Sequence, residues 1–181
     1  MKPVLFALAA VSACALAASA HAEVYGKVEG GGTFSGKHEY GGVDAKTDGG
    51  WQLGGAVGAS VTPNVRLEGE ISHQRADFES STQQSRATLG LANAYYDLAP
   101  DAQFTPFVGG GVGFARVDNG PADDTGFAYK LTAGAAAKFS DRVTGELAYR
   151  YTAAPDLTFG GVDAKYRENA ITAGVRIKLG Q

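Results

Sequence analysis

The sequence is poor in cysteine, histidine and proline: its 181 residues include one cysteine, three histidines and six prolines. A single cysteine cannot form an internal disulfide, so a disulfide-stapled fold is excluded. The few histidines, with no cysteine or acidic residues at ligand spacing, indicate no metal or cofactor site. The net charge of −3 gives no reason to expect nucleic acid as a partner.

Long apolar runs are also missing after residue 22, so no membrane-spanning helix is predicted there. The first 22 residues are typical of a secretory signal peptide: Lys2 precedes an apolar stretch that ends in Ala20-His21-Ala22, a small-x-small cleavage pattern. We therefore predict a signal at 1–22, cleaved after Ala22, and one domain over 23–181. A lipobox-like sequence ending at Cys14 leaves open a second cut that would lipidate this cysteine.

Glycine, in contrast, is abundant: 26 residues beside 44% hydrophobic residues indicate many strands and turns. Apolar residues recur with a period of two, which predicts β-strands. The eight predicted strands are about Glu23–Phe34, Gly50–Val61, Asn64–Gln74, Ser85–Leu98, Phe104–Arg116, Phe127–Phe139, Thr144–Thr152 and Tyr166–Leu179. The facing of the fourth strand stays open, because Leu89 and Leu91 alternate against Tyr96 and Leu98.

The predicted connections alternate in length. Short turns are expected at Thr62–Asn64, Ala99–Gln103 and Ser140–Arg142, and long loops at Ser35–Gly49, Arg75–Gln84, Val117–Gly126 and Ala153–Lys165. Short turns at one end and long loops at the other are typical of outer-membrane barrels. The pattern predicts an all-β fold, an eight-stranded antiparallel up-and-down transmembrane β-barrel.

The two faces of the predicted strands differ in content. One face is mainly small residues with a few charges, which suits the narrow interior of an eight-stranded barrel. We predict an ionic network in this lumen, formed by Arg66, Glu68, Glu70, Lys130, Glu146, Arg150 and Arg176. Aromatic residues of the other face fall near strand ends, as in the interfacial girdles of membrane barrels. They are Phe34, Trp51, Phe114, Phe127, Tyr129, Tyr149 and Tyr151 toward the loops, and Tyr96, Phe104 and Phe139 toward the turns.

Three segments resemble a known family. Leu91-Ala-Asn-Ala-Tyr-Tyr-Asp-Leu98, Thr105-Pro-Phe-Val-Gly-Gly-Gly-Val-Gly-Phe-Ala115 and Glu146-Leu-Ala-Tyr-Arg-Tyr151 are similar to the outer-membrane β-barrel domain family. That family groups opacity-type porin-family proteins with relatives of the transmembrane domain of outer-membrane protein A. The resemblance implies a place in the outer membrane among lipid and lipopolysaccharide, and it implies little about activity.

The last strand also resembles the sorting signal read by the outer-membrane assembly machinery. Thr172, Gly174, Ile177 and Leu179 occupy the places of that signal. The usual final residue is aromatic, whereas this chain ends in Leu179-Gly180-Gln181. The absence of a final aromatic residue bears on how efficiently the chain would be inserted into the membrane, and less on its fold.

No constellation for catalysis is found. Small outer-membrane barrels that modify lipid A need a serine, a histidine and an acid together near the outer rim. Ser72 and His73 are adjacent in a predicted strand and therefore point to opposite faces. The glycine run Gly109–Gly113 is no phosphate loop, because neither a lysine nor a helix follows it.

One heptapeptide occurs twice with a single difference: Tyr40-Gly-Gly-Val-Asp-Ala-Lys46 and Phe159-Gly-Gly-Val-Asp-Ala-Lys165. The two copies are either glycine hairpin tips or a paired surface element for a ligand. We predict a non-catalytic barrel with a structural or surface-interaction role, adhesin-like or envelope-stabilising, whose loops can meet an external protein ligand. A small diffusion pore and a lipid A-modifying rim enzyme stay open as alternatives, and ion conductance in planar bilayers separates the pore from the preferred role.

Overall fold

Eight antiparallel strands form a closed barrel in the computed structural model, which describes residues 23–40, 43–78, 84–118, 123–159 and 162–180. The strands are β1 (Glu23–Tyr40), β2 (Val43–Ser60), β3 (Val65–Phe78), β4 (Gln84–Asp97), β5 (Phe104–Asp118), β6 (Asp123–Lys138), β7 (Val143–Phe159) and β8 (Val162–Lys178). Each strand pairs with its neighbours in sequence, and β1 also pairs with β8. The described residues include no helix long and apolar enough to span a membrane.

Side chains alternate between the two faces of the sheet as a period of two requires. The polar, small-residue face lies inside the barrel, and the apolar face lies outside. Aromatic side chains on the outside form two levels, with Phe34, Trp51, Phe114, Phe127 and Tyr149 near the hairpin ends and Tyr96, Phe104 and Phe139 near the short turns. Between them lie aliphatic residues such as Leu53, Val112 and Ile171, which are exposed.

The prediction of four long loops is wrong. Most of Ser35–Gly49 and Ala153–Lys165 belongs to paired strands, with Tyr40 opposite Val43 and Phe159 opposite Val162. Arg75–Gln84 and Val117–Gly126 are likewise shortened at both ends by β3, β4, β5 and β6. These segments show no apolar alternation, although their backbone hydrogen bonds continue.

The facing of β4 is settled by burial. Leu89 and Leu91 are only 1% and 3% exposed and point into the barrel, whereas Tyr96 and Leu98 point outward. The alternation of β4 is therefore unbroken along the strand. An apolar residue in this chain can belong to either face, and Leu89 and Leu91 form an apolar layer inside.

Glycines lie beside large interior side chains. A Cβ added to these glycines would overlap the neighbouring side chain, so only glycine leaves room for it. The cross-strand pairs are Tyr25 with Gly58, Asn93 with Gly111, Tyr95 with Gly109 and Phe107 with Gly134. The glycine run of β5 thus serves close packing, as expected for a segment that is no phosphate loop.

Several predictions fall outside the described residues. They concern the signal peptide at 1–22, with its cleavage site at Ala20 and Ala22 and the alternative at Cys14, and the two Gly-Gly tips at 41–42 and 160–161. The side chains of residues 35–40, 43–48, 76–78, 84–85, 123, 156–159 and 162–165 are also outside the description, so only the backbone is described for them.

Candidate functional site

The centre of the lumen is held by Arg150 on β7. Its guanidinium makes two contacts with the carboxylate of Glu29 on β1, and it lies 3.5 Å from Glu70 on β3. Glu70 is also bound by the ammonium group of Lys130 on β6. Asn93 donates its side-chain N–H to the same carboxylate at 3.1 Å. Five strands are therefore joined through their side chains across the barrel axis.

A second group of charges lies between this centre and the short turns. Lys27 binds Glu68 and lies 3.5 Å from Glu29, which links the two groups. Arg66 forms a bidentate pair with Asp97, with N···O distances of 2.8 and 2.9 Å. It also donates to Glu68 at 3.1 Å.

Glu146 completes the network at the end near the turns. Its carboxylate lies 3.0 Å from Arg176 and 3.4 Å from Arg66. The connected set holds five cations and five anions, so it is neutral as a whole: Lys27, Arg66, Lys130, Arg150 and Arg176 against Glu29, Glu68, Glu70, Asp97 and Glu146. Pairing of every charge offsets the high cost of placing ions away from water.

Rings stack against the guanidinium groups of this network. Arg66 lies 5.0 Å from the ring centre of Tyr95 and 5.1 Å from that of Phe107, and these two rings meet edge to face. Arg176 lies 5.2 Å from the ring centre of Tyr25. These cation–π contacts add to the stabilisation of the two arginines.

The structure places all seven residues of the predicted ionic network inside the barrel, where they form one connected set. Sequence reasoning omitted three members of that set, Lys27, Glu29 and Asp97. Lys27 and Glu29 lie on the polar face of the predicted first strand, so alternation alone was enough to include them. Asp97 was missed because it ends β4, the strand whose facing was open.

An apolar layer fills the lumen above the ionic network, toward the hairpins. Its members are buried almost completely: Ala87, Leu89, Leu91, Ala115, Val117, Ala128, Ala154 and Tyr166. The Tyr166 hydroxyl is 2.7 Å from both Gln74 and Glu168, and Gln74 donates to Gln52 at 3.1 Å. The lumen is thus filled at two successive levels. At the other end, the residues that line a cavity of about 130 Å³ include Arg66 and Asp97.

The external rim is built from hairpins that continue the barrel wall. β1 stands between β2 and β8, with Tyr40 opposite Val43 on one side and Ala164 on the other. The two copies of the repeated heptapeptide therefore lie side by side at the rim. The described residues on either side of each Gly-Gly pair, Tyr40 with Val43 and Phe159 with Val162, are paired across the two strands.

Ser72 and His73 do not form a catalytic pair. Ser72 is buried in the lumen, while His73 is exposed on the outside, with Nδ1 3.1 Å from the Thr88 hydroxyl and its ring 6.1 Å from that of Trp51. No cluster of three metal-ligating side chains occurs within the described part of the chain. Of the residues of the proposed sorting signal, Thr172 is buried inside the barrel, Ile177 is exposed on its outside, and Leu179, directly after the end of β8, is also exposed.

Comparison with known proteins yields three informative similarities. A candidate adhesin of Rickettsia bellii is 29% identical in an alignment 151 residues long, which covers 68% of this chain and 66% of the relative. The chain therefore spans slightly less than two thirds of that relative. Neisserial surface protein A has a similar structure, with a TM-score of 0.66 and 20% identity over 86% of this chain and 97% of the other. The outer membrane protein OprG from Pseudomonas aeruginosa has a TM-score of 0.56 and 15% identity over 89% and 98%.

The two solved structures establish the likeness of the fold. The family model for the outer membrane protein beta-barrel domain matches residues 4–178, almost the whole chain. This protein therefore belongs to the outer membrane protein beta-barrel domain family and is an eight-stranded barrel of the outer membrane.

Proposed function

We propose that this barrel is non-catalytic and acts through contacts that its protruding hairpins make outside the cell. The observation that carries the proposal is the length of the strands: β1 and β2 have 18 residues each, and β7 and β8 have 17. About 9–11 residues suffice to cross the membrane. The first and last hairpins therefore extend well beyond it, and they are neighbours in the closed barrel. The likeness to a candidate adhesin supports this role.

A diffusion pore is the weaker alternative because of what fills the lumen. An eight-stranded barrel is just wide enough for its own side chains. Here the ionic network occupies the centre and the layer around Leu89 and Leu91 covers it. An ion passing through the barrel would have to displace both the ionic network and this apolar layer. We expect no ion conductance from the purified protein in planar bilayers.

A rim enzyme is disfavoured by the placement of the candidate residues. A serine nucleophile needs its base within hydrogen-bond reach, about 2.6–3.2 Å. Ser72 and His73 lie on opposite faces of β3, and the imidazole of His73 contacts Thr88 and Trp51 instead. His73 is therefore not placed to act as the base for Ser72.

Export and insertion complete the proposal. Residues 1–22 are proposed as a signal peptide removed after Ala22, which leaves Glu23, the first residue of β1, at the amino terminus. Thr172, Gly174, Ile177 and Leu179 are proposed to be read by the outer-membrane assembly machinery. Their alternation between the two faces of β8 agrees with recognition as an extended strand.

The proposed contact is tested by changing the repeated tips. Replacing Gly41, Gly42, Gly160 and Gly161 by valine should abolish adherence of expressing cells to cultured epithelial monolayers, because valine disfavours the backbone of a two-residue hairpin turn. The barrel should remain inserted, since the strands that lead to the changed positions are longer than the roughly 9–11 residues that cross the membrane. Adherence is measured as bound cells relative to the wild type and to the empty vector.

The matched control replaces Ser140 and Asp141 by valine, in an exposed turn at the opposite end. This variant should adhere like the wild type. If the wild-type protein gave no more adherence than the empty vector, the surface-interaction role would be contradicted. Loss of insertion in the tip variant would instead show that the tips belong to the membrane-spanning sheet.

A further inference from the structure

The cavity of about 130 Å³ lies in the mouth of the barrel, at the end of the short turns. Exposed residues such as Pro63, Lys138 and Arg142 line it, so it is open to the surrounding solution. In outer-membrane barrels the end with the short turns faces the periplasm. We call this space the turn-side cavity.

The charged side chains around the turn-side cavity are mainly basic. Five cations and two carboxylates line it. Both carboxylates already have a partner, since Asp97 pairs with Arg66 at 2.8 Å and Glu23 pairs with Lys178 at 2.8 Å. The acidic residues of the lining therefore leave three of its cations uncompensated.

These three cations are Lys138, Arg142 and Arg176. Arg176 lies 3.0 Å from Glu146 of the ionic network, yet its Nε donates no hydrogen bond, so this pairing is incomplete. No ion pair within the described part of the chain joins Lys138 or Arg142 to a carboxylate. With Glu146 assigned to Arg176, the cavity carries an excess of two positive charges.

Backbone contacts hold the two unpaired cations at the mouth. Lys138 donates one N–H from its ammonium group to the carbonyl of Pro100 at 2.6 Å, which leaves two further N–H donors. The carbonyl of Arg142 accepts from the backbone N–H of Lys178 at 3.0 Å, and its own N–H bonds the Ser140 hydroxyl at 3.3 Å. The guanidinium group of Arg142 therefore extends from a fixed turn.

We propose that the turn-side cavity binds phosphate, as the free anion or as a phosphate monoester. A phosphate monoester carries about −1.5 to −2 charges at neutral pH, which matches the excess charge of the cavity. Guanidinium groups match the geometry of phosphate with a planar fork of donors, and a lysine adds a point charge. The volume is ample, because one water molecule needs only about 10–15 Å³ of such space. This site lies at the opposite end of the barrel from the hairpin tips, so it does not rest on their proposed contact.

Inorganic phosphate is the first probe. Titration calorimetry of the full-length folded protein in a maltoside detergent, which contains no phosphate, should show saturable binding at constant ionic strength. Sodium chloride added to the same ionic strength should give no saturable signal, because it can only screen charges. This comparison needs no variant, so a folding defect cannot affect it.

The double variant K138Q/R142Q should bind inorganic phosphate about tenfold more weakly, because each exposed charge contributes roughly a factor of three. The control R75Q/R86Q removes the same charge near the hairpins, from one half-exposed and one exposed residue, and should bind within about twofold of the wild type. Heat-modifiable migration in gel electrophoresis verifies that each variant is folded.

Two further probes distinguish the sources of the phosphate group. Glycerol 3-phosphate presents the monoester in solution, and phosphatidic acid in the same detergent presents it on a lipid. Tighter binding of glycerol 3-phosphate assigns the cavity to a soluble solute, and tighter binding of phosphatidic acid assigns it to a lipid headgroup. Both outcomes agree with the proposal.

Three results would overturn the proposal. The first is no saturable binding of any of the three phosphates. The second is a chloride titration equal to that of phosphate, which would reduce the effect to general screening. The third is an unchanged affinity of the folded K138Q/R142Q variant, which would place the site elsewhere.

Discussion

An Arg150→Met variant is expected to lose about 3–5 kcal/mol of its free energy of unfolding in detergent. Arg150 is buried and is the contact that joins the carboxylates of Glu29 and Glu70. Among the described residues, its removal leaves Glu29 with Lys27 as its one cationic neighbour, at 3.5 Å, and makes the network negative by one charge. Methionine fills much of the same volume, so the loss reports the charge rather than a cavity. The urea midpoint of unfolding measures the effect.

A matched control separates a buried from an exposed pair. Lys178 and Glu23 form an ion pair at 2.8 Å near the short turns, with both side chains largely exposed. Lys178→Met should change the stability by less than about 1 kcal/mol. Adding Glu29→Gln to Arg150→Met should restore part of the loss, because the uncompensated carboxylate is removed. Equal urea midpoints for Arg150→Met and the wild type would contradict the structural role of the network.

Gly31→Ala should destabilise the barrel by about 3 kcal/mol, at the upper end of ordinary overpacking. Gly31 lies in β1 between Gln52 of β2 and Thr172 of β8. A Cβ there would overlap the backbone carbonyl of Ile171, which cannot rotate away as a side chain could. The strands must therefore separate at the seam where β1 and β8 close the barrel.

The adjacent residue provides the control. A Cβ on Gly32 would meet nothing closer than 3.9 Å, the carbonyl oxygen of Gly50. Gly32→Ala should therefore change the stability by no more than about 0.5 kcal/mol. Urea unfolding of the two variants in the same detergent makes the comparison. If both alanine variants unfolded at the same midpoint, close approach of β1 and β8 at Gly31 would be refuted.

The alternation of residue types along the strands predicts most of the fold. A period of two assigns each residue to a face, and the small interior of eight strands explains why charges such as Glu70 and Lys130 are confined to one face. The same rule placed Trp51 and Phe114 at the outer aromatic level. These features can be predicted from the sequence for two reasons. Alternate residues of a strand face opposite sides of the sheet, and the lipid outside and the lumen inside favour different residue types.

The positions at which the strands end could not be predicted from this alternation. Above the membrane both faces of a hairpin meet water, so the apolar alternation that marks a strand disappears while its hydrogen bonds remain. Ser35–Gly49 was therefore predicted as a loop, although β1 and β2 pair as far as Tyr40 and Val43. Register between neighbouring strands is set by long-range pairing and has no local signature.

The interior packing was only partly predictable. Leu89 and Leu91 were ambiguous because the upper lumen is apolar, contrary to the expectation of a polar interior. A clearer signal was present in the glycines, since Gly109 and Gly134 accommodate Tyr95 and Phe107. Pairing each interior glycine with a large residue on the next strand requires the register, which the sequence alone does not supply.

Site-specific labelling of intact cells tests the central claim most directly, namely that the barrel displays its hairpin end to the outside. Thr125 near the start of β6 and Ser140 in a short turn are both exposed and lie at opposite ends of that strand. With Cys14 replaced by serine, a Thr125→Cys variant should react with a membrane-impermeant maleimide on intact cells. A Ser140→Cys variant should react only after the outer membrane is permeabilised. Labelling of Ser140→Cys but not Thr125→Cys on intact cells would contradict the account.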